Sequence, residues 1–429
     1  MVPLARAPAP LGYYVHIPFC VRRCRYCSFA VVPVGPNPKV LSSHAAEYVA
    51  KLAEEMACTA ANLRSLQPDP PPPLESVYLG GGTPSLLPPA LVASLLSSLR
   101  KHHALSPSCE VTIELDPGTF TPASLRQLCA AGVTRASLGA QSFHDEELRG
   151  AGRSHDAAAV RAAAAALQSA HEAGLLRSWS MDLLSGLPGQ TPGSLEESLD
   201  AALGFGPPHV SCYDLQLEPG TPFGSRFSPP PGSPGDAETP DAKGLLPPLP
   251  PPQLAADLYR LAAARLRAGG YEHYEVSSYA LPGHRSKHNG NYWRFGGEWL
   301  AAGAGAADCV AGRRGTRPGD LKGYYEYVVG LKAGGAAVWE GGEEEGGREL
   351  LETLAMTSLR RAEGLDLGLV EREFGGGCAA AIRGAAEFFV GVGVCEIGGS
   401  VLRLTDPDGF LFSNQVLSEI FLAIEGEFD

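Results

Sequence analysis

Residues 14–27 read YVHIPFCVRRCRYC, a short apolar run that leads into Cys20, Cys24 and Cys27. The run at 13–17 has the length and composition of a buried strand, so the cysteines follow in the loop at its carboxyl end. Three thiolates with three and then two intervening residues can wrap one face of a cubic iron–sulfur cluster and leave its fourth iron without a protein ligand. The segment therefore predicts a metal-centred site at the end of the first strand.

The chain that follows alternates apolar runs with helical patterns. Strands are predicted at 13–17, 77–79, 111–115, 135–140, 179–184 and 210–217, and helices at 45–63, 89–99, 122–130, 157–173 and 193–203. Such alternation implies parallel strands joined by right-handed crossovers. Six units predict an α/β fold with a partial (βα)6 TIM-type barrel, because a closed barrel takes eight. In either case the ligand site belongs at the carboxyl ends of the strands.

Composition and pattern divide the chain into five predicted parts. They are a short tail (1–10), the barrel (11–227), a Pro-rich insertion or linker (228–252), a barrel-completing segment (253–335) and a C-terminal domain (336–429). The insertion cannot form a helix or a central strand, because proline lacks the backbone donor and fixes φ. Helical patterns at 348–359, 366–374, 379–390 and 414–422 accompany a hairpin at 394–396 and 402–404. This set predicts a small winged-helix-like α+β domain.

Charge and composition exclude several classes of protein. The 429 residues carry 34 Lys+Arg against 47 Asp+Glu, a net charge of −13. That balance argues against binding to nucleic acid or to an anionic membrane, because phosphate would be repelled. No apolar run approaches the length of a membrane span, and residues 1–10 lack the apolar core of a secretory signal. A reducing compartment is expected: the cytoplasm on this sequence alone, with a chloroplast or mitochondrion left open.

The residues themselves leave two interpretations of the cysteine triplet open. A zinc site would need a fourth ligand, for which His16 is the nearest candidate. Covalent heme attachment is excluded, because Ser28 rather than histidine follows Cys27. Polar groups at successive strand ends favour a cofactor site around the triplet, since isolated groups of this kind are more often helix caps. These groups are the Gly80–Gly82 turn, Glu114, Gln141, Arg153 and Asp182.

Six motifs occur together and in order along the chain. They are YVHIPFCVRRCRYC, GGGTPS, SLGAQSF, GRSH, DLLSGLPGQT and HNGNYW. With them the sequence resembles the radical S-adenosylmethionine (SAM) proteins of the coproporphyrinogen-oxidase-like group, and most closely the heme-chaperone branch of that group. The resemblance runs from about residue 11 to residue 421 and is interrupted mainly by the Pro-rich insertion.

The resemblance implies a cofactor set and a role for each matching residue. Cys20, Cys24 and Cys27 would hold a [4Fe–4S] cluster whose open iron chelates SAM. The residues at the methionyl end of SAM would be Tyr14, Gly81, Gly82 and Thr83, and those around the remainder would be Glu114, Gln141, Arg153 and Asp182. The chemistry implied is reductive cleavage of SAM to methionine and a 5′-deoxyadenosyl radical. The sequence does not establish whether this cleavage belongs to the function.

Two features separate the branches of the group. The resemblance implies a further cysteine in the oxidases two positions past Cys27, where this chain has Phe29. The motif His-Asn-x-x-Tyr-Trp of the chaperones is matched in full by residues 288–293. His288 would be an axial ligand of heme iron, with flanking aromatics against the porphyrin. The alternatives are a structural turn with a hydrogen-bonded histidine, and His284 as the ligand.

The leading hypothesis is a heme chaperone that delivers heme to apo-hemoproteins such as respiratory-chain components. The resemblance also implies an electron donor of the flavodoxin or ferredoxin type, and it leaves a homodimer open. An oxygen-independent coproporphyrinogen III dehydrogenase is the runner-up, because it would share the SAM site. A non-catalytic, zinc-bound barrel used for interactions is the third class, and it would contain zinc in place of iron.

Overall fold

The computed structural model describes residues 11–35, 38–66, 71–228, 246–341 and 346–428, without the side chains of 38–40, 42 and 66. The predicted tail at 1–10 and most of the predicted Pro-rich insertion at 228–252 lie outside the described residues. The five-part division of the chain stays a prediction.

One large sheet forms the centre of the molecule. Its eleven strands are β1 (Leu11–Ile17), β2 (Leu74–Gly81), β3 (Leu105–Leu115), β4 (Arg135–Gln141), β5 (Ser178–Ser185), β6 (His209–Asp214), β7 (Glu272–Glu275), β8 (Ser278–Ala280), β9 (Glu298–Ala302), β10 (Ala307–Val310) and β11 (Arg313–Thr316). The order across the sheet is β11-β10-β9-β1-β2-β3-β4-β5-β6-β8-β7. The six predicted strands are therefore neighbours in chain order, and all pairs among them are parallel.

Helices separate these strands and account for the parallel order. The helices span Pro38–Leu66, Pro89–His102, Pro122–Ala131, Asp145–Ala151, Ala157–Glu172, Pro192–Phe205, Pro222–Phe227, Pro252–Ala268, Lys287–Tyr292, Leu321–Lys332, Gly347–Leu359, Leu367–Phe374, Gly376–Gly391, Asp408–Leu411 and Ser413–Glu425. Short 3₁₀ turns lie at Pro84–Leu86 and Val338–Gly341. Strands such as β1 and β5 are buried on both faces, which is why they read as nearly continuous apolar runs. The α/β fold with six parallel strands and intervening helices that the sequence predicts is confirmed.

Several predicted boundaries were wrong, and strand pairing explains why. The strand predicted at 77–79 spans Leu74–Gly81, and the one predicted at 111–115 begins at Leu105. Their extra residues include Glu75 and Ser108, which the sheet accommodates because backbone hydrogen bonding does not depend on an apolar side chain. The strand predicted at 210–217 ends at Asp214.

The segment after the predicted insertion extends both edges of the sheet. β7 and β8 pair antiparallel beyond β6 at one edge. At the other edge β9 pairs parallel with β1, and β10 and β11 follow as antiparallel strands. The sequence pattern predicted that this segment completes the barrel, but it did not predict the individual strands.

A second apolar core lies in the C-terminal part, and its members include Leu351, Leu365, Ile382 and Ile420. Its helices surround a three-stranded sheet of Leu365–Asp366, Val401–Leu404 and Cys395–Gly398. The winged-helix-like character of this part stays a prediction. Across the described ranges, no helix combines the length and the apolar character needed to cross a bilayer.

Candidate functional site

The cysteine loop is fastened at both ends to the end of β1. Cys20 lies on a two-residue strand, Phe19–Cys20, that pairs in parallel with Val32–Pro33. The backbone N–H of Val32 donates to the carbonyl of Pro18 at 2.7 Å, and that of Val34 donates to the carbonyl of Cys20 at 2.9 Å. These bonds close a short loop that holds all three cysteines at the carboxyl end of the barrel.

Two side chains from other elements contact the thiols. The Thr83 hydroxyl lies 3.5 Å from Cys20 Sγ, and Arg153 Nη1 donates to Cys24 Sγ at 3.3 Å. Burial raises the pKa of Cys20 to about 12 and also raises the pKa of Cys27. Both thiols are therefore protonated at neutral pH, and a bound metal would have to displace their protons.

The glycine turn after β2 packs closely against the end of β1. Gly81 has φ = 111°, and a Cβ atom there would overlap the ring of His16. A Cβ atom on Gly82 would lie 2.7 Å from the carbonyl carbon of Pro18. The backbone N–H of Gly82 donates to the carbonyl of Ile17 at 2.8 Å. Glycine is thus required here for the approach of the protein's own chain, in addition to any approach by a ligand.

An ion pair that the sequence analysis missed lies beside the thiols. Arg153 is nearly buried, and its Nη2 forms a short contact with Asp116 Oδ1 and donates to the carbonyl of Gly139 at 3.1 Å. A Cβ atom on Gly139 would lie 2.9 Å from Asp116 Oδ1, so glycine makes room for the pair. Asp116 follows β3 directly and precedes Pro117, the same strand-end signal that singled out Glu114.

Glu114 is already bonded on both of its carboxylate oxygens. Tyr78 donates its hydroxyl to Oε1 at 2.8 Å, and the backbone N–H of Gly81 donates to Oε2 at 2.9 Å. Burial raises the pKa of Glu114 to about 7. Glu114 therefore ties the glycine turn to β3, and near neutral pH it carries a proton in part of the molecules.

Asp182 and Gln141 keep polar capacity for a ligand. Asp182 Oδ2 accepts from Ser137 Oγ at 2.8 Å, whereas its buried Oδ1 has no hydrogen-bond partner within the described residues. A buried acceptor without a partner is costly, so a hydroxyl or amino group from a ligand would be favourable there. Gln141 adopts φ = 68°, a conformation uncommon for residues other than glycine and found disproportionately at functional sites.

Most of the side chains described above line one cavity of about 400 Å³ at the carboxyl ends of the strands, which we call the cysteine cavity. All predicted site residues line it except Tyr14 and His288. The cavity has the volume of a small-molecule site and combines polar groups with apolar surface. Members that the sequence analysis did not single out are Tyr26, Asp116, Ser137, Tyr213 and Asp214. Within the described residues, no three His, Cys, Asp or Glu side chains are grouped so that they could hold a single metal ion.

Tyr14 lies beside the cavity. Its hydroxyl lies 3.0 Å from His16 Nδ1, and His16 Nε2 lies 2.8 Å from the carbonyl of Ala30. Because a carbonyl can only accept, His16 Nε2 carries the proton and Nδ1 accepts from Tyr14. Tyr14 therefore braces the cysteine loop through His16.

His288 lies inside the barrel with both ring nitrogens bonded. Nδ1 lies 2.9 Å from Ser76 Oγ and Nε2 lies 2.8 Å from the Tyr292 hydroxyl, while the ring stacks on Tyr78. Burial lowers the pKa of His288 to about 3, so the imidazole is neutral. The prediction that His288 ligates heme iron stays a prediction. Ligation would require the loss of one of these two hydrogen bonds.

We expect His288 to make stability depend on pH. In the unfolded chain it takes up a proton below its ordinary pKa of 6.5, and in the folded chain only near pH 3. The unfolded state binds more protons in that window, so the contribution of neutral His288 is lost as pH falls from 6.5 towards 3. Within this window, His288 makes the free energy of unfolding change with pH by up to about 1.4 kcal/mol per pH unit. Urea unfolding of wild type and His288→Asn at several pH values measures it.

The control for this experiment is His171→Asn, because His171 is only half-buried on Ala157–Glu172. That variant should keep the wild-type slope. An unchanged slope in His288→Asn would contradict the assignment of the effect to His288.

The chain is similar to several known proteins over most of its length. The family model of the radical SAM superfamily matches residues 14–202. "Heme chaperone HemW" of Synechocystis is 34% identical over 435 residues, which cover 98% of each chain. The Escherichia coli protein of the same name is 37% identical over 302 residues, 69% of each chain.

The chain is also similar to a mammalian protein and to a solved structure. The bovine "Radical S-adenosyl methionine domain-containing protein 1, mitochondrial" is 36% identical over 70% of this chain and 62% of its own. Among solved structures, coproporphyrinogen III oxidase (HemN) from Escherichia coli superimposes with a TM-score of 0.76. That match covers 98% of this chain and 91% of the other at 24% identity, and at this identity it establishes the fold alone.

Proposed function

Because this chain belongs to the HemW heme chaperone family of radical SAM proteins, we propose that it binds heme and transfers it to hemoproteins that lack their cofactor. The observation that carries this proposal is the similarity to Synechocystis HemW over nearly the whole length of both chains. The similarity includes nearly all of the chain beyond residue 202, where the superfamily match ends.

The cavity residues fit a [4Fe–4S] cluster with bound SAM. Cys20, Cys24 and Cys27 would hold the cluster, which would supply one electron for the cleavage of SAM. Arg153, bonded to Cys24 Sγ and paired with Asp116, would place positive charge beside a thiolate-ligated cluster. The fit rests on the presence of all three cysteines in the lining of one cavity of about 400 Å³.

The polar groups on the other walls suit the remainder of SAM. The unpartnered Asp182 Oδ1 would accept from a ribose hydroxyl or an amino group. Gln141, Gly81, Gly82 and Thr83 line the same space. Glu114, bonded by Tyr78 and Gly81, would act mainly by holding the glycine turn in place. A role for Tyr14 at the methionyl end stays a prediction, since it lies outside the cavity.

One position separates the chaperone from the oxidase alternative. Phe29, where the resemblance implies a further cysteine in the oxidases, is 63% exposed and lines the rim of the cysteine cavity. A phenyl ring has none of the acid–base or metal-binding chemistry of a thiol, and this difference counts against the oxidase alternative. The acceptor hemoprotein, an electron donor of the flavodoxin or ferredoxin type and a homodimer stay predictions.

The test is transfer of heme from the full-length chain. We expect hemin to give a Soret band when it binds the protein. When the loaded protein is mixed with an apo-hemoprotein of the respiratory chain, the heme and its Soret band should be found with that acceptor. Anaerobic assay with coproporphyrinogen, SAM and a reductant is the control for the oxidase alternative. Failure of the wild-type chain to bind hemin, or efficient turnover of coproporphyrinogen, would contradict the proposal.

A further inference from the structure

A second and larger cavity, of about 720 Å³, lies at the other end of the barrel. It is bounded by residues 72–76 at the start of β2, by the helix Lys287–Tyr292 with Trp293 and Arg294 after it, and by Arg361 and Glu363 of the C-terminal part. The cysteines follow the carboxyl end of β1, whereas this cavity opens at the amino end of the neighbouring β2. We call it the basal cavity. Its volume exceeds that of the cysteine cavity and lies within the usual range for organic ligands.

Four cationic side chains line the basal cavity of a chain whose net charge is −13: Arg285, Lys287, Arg294 and Arg361. Arg285 is already paired, because its Nη1 donates a hydrogen bond to Glu363 Oε1 at 2.7 Å. Lys287 Nζ donates to the carbonyl of Ser108 at 2.8 Å. Two of the four cations thus have partners at bonding distance.

The guanidinium groups of Arg294 and Arg361 have no hydrogen-bond partner in the described part of the chain. Arg294 is exposed, and its side chain has no hydrogen bond or ion pair in the described part of the chain. Arg361 Nε is buried without a hydrogen-bond partner, and its nearest carboxylate oxygen, Glu363 Oε2, lies 3.9 Å away. Burial lowers the pKa of Arg361, and the charges of Arg294 and Arg285 lower it further. Two neighbouring cations of this kind favour an anionic ligand, and guanidinium groups match carboxylates well.

Two of the three carboxylates on the same walls, Glu363 and Glu275, are hydrogen-bonded by the protein. Glu363 is bonded by Arg285. Glu275 Oε2 accepts from the backbone N–H of Ser277 at 3.2 Å, and Glu75 lies 4.0 Å from Lys287 Nζ. Arg361 therefore has only its 3.9 Å contact with Glu363, and Arg294 has no ion pair within the described residues.

The basal cavity also presents a flat apolar surface. Trp293 is half-buried and lines the cavity, and its indole has no ring–ring contact with any described side chain. Exposed Pro72 and Pro73 lie at the rim. An aromatic face near two guanidinium groups that lack hydrogen-bond partners suits a planar, largely apolar molecule that carries carboxylates at one edge.

The geometry points to the basal cavity as the site of the transported heme, with the two propionates at Arg294 and Arg361 and the porphyrin against Trp293. This inference rests on the proposed function and adds the place and the mode of binding. No histidine, cysteine or methionine is among the described residues that line the cavity. The hydroxyl of the one tyrosine there, Tyr274, lies 2.8 Å from His209 Nε2.

Heme held in this way would have no strong axial ligand from the cavity walls. Affinity would come from the carboxylates and from stacking, so heme could leave without breaking an iron–protein bond. That property suits a carrier. His288 would act as a positioning residue, because it bonds Ser76, which is part of the cavity wall.

The experiment is a hemin titration of the full-length chain, followed by Soret absorbance. Arg294→Glu and Arg361→Glu should each weaken hemin binding by at least about tenfold, because each loses a charge-assisted contact. Hemin dimethyl ester, whose propionates are blocked, should bind wild type correspondingly weakly and be insensitive to both substitutions. Bound hemin should show a high-spin spectrum. Arg126→Glu, on the exposed face of Pro122–Ala131, is the matched control and should bind as wild type does.

The outcomes are distinguishable. Thermal unfolding and iron incorporation at the cysteine site are measured for each variant. Values unchanged from wild type would show that the variant is folded. If wild type binds hemin, three results would overturn this inference alone. They are equal hemin binding by both Glu variants, equal affinity of wild type for hemin and its dimethyl ester, and a low-spin spectrum that His288→Ala abolishes. No hemin binding by wild type would overturn the proposed function and this inference with it.

Discussion

Replacing any one of Cys20, Cys24 and Cys27 by serine is expected to remove nearly all iron from the anaerobically reconstituted protein, from about four irons per chain to less than about one. All three cysteines line one cavity and lie on or next to a loop fastened to β1. A cluster with one protein-free iron depends on all three remaining ligands. Serine preserves the volume but does not form an anionic sulfur ligand. Iron and sulfide analysis with visible absorbance measures the loss.

The control for this experiment is Cys129→Ser, because Cys129 is also half-buried but lies on Pro122–Ala131 and outside the cysteine cavity. It should incorporate iron as wild type does. Full iron in Cys24→Ser would contradict the cluster assignment. Wild-type protein with about one zinc and no sulfide would favour the zinc-bound interaction barrel instead.

Arg317→Met is expected to lower the free energy of unfolding by about 3–5 kcal/mol, the loss typical when one partner of a buried ionic network is removed. Arg317 is almost fully buried, makes a short contact with Glu55 and donates to Asp308 Oδ2 at 2.8 Å. Glu55 also accepts from Tyr324 at 2.7 Å and from the backbone N–H of Gly303 at 2.9 Å. The substitution would leave two carboxylates buried without their cation.

This network joins elements that close one side of the barrel. Glu55 lies on Pro38–Leu66, Asp308 on β10 and Tyr324 on Leu321–Lys332. Urea unfolding measures the effect. Arg265→Met is the matched control, because Arg265 pairs with Asp200 at the surface and this variant should unfold with nearly wild-type stability. Replacing Glu55, Asp308 and Arg317 together by apolar residues should recover much of the stability. A loss below about 1 kcal/mol in Arg317→Met would contradict the role of the network.

Local sequence patterns predicted the barrel because each βα unit carries its own signal. The apolar run of β1, the helical periodicity of Ala157–Glu172 and the glycines after β2 are all visible within short windows. The carboxyl ends of parallel strands meet at one edge, so strand-end residues as far apart as Cys20 and Asp182 could be assigned to one site before the structure was known. The strands β7 to β11 could not be resolved, since their pairing at the edges depends on neighbours distant in the chain.

The sequence by itself determined the cysteine triplet, the α/β barrel and most of the strand-end residues that line the cysteine cavity, because all of these follow from spacing along the chain. Only the tertiary structure decided which side chains meet across it. The contact of Ser76 with His288 joins residues 212 apart, and that of Glu55 with Arg317 joins residues 262 apart. The basal cavity also depends on tertiary structure, because it brings Arg294 and Arg361 together from separate parts of the chain. Such contacts leave no periodic signal, because they arise when elements with separate local patterns pack together and bury their polar groups against one another.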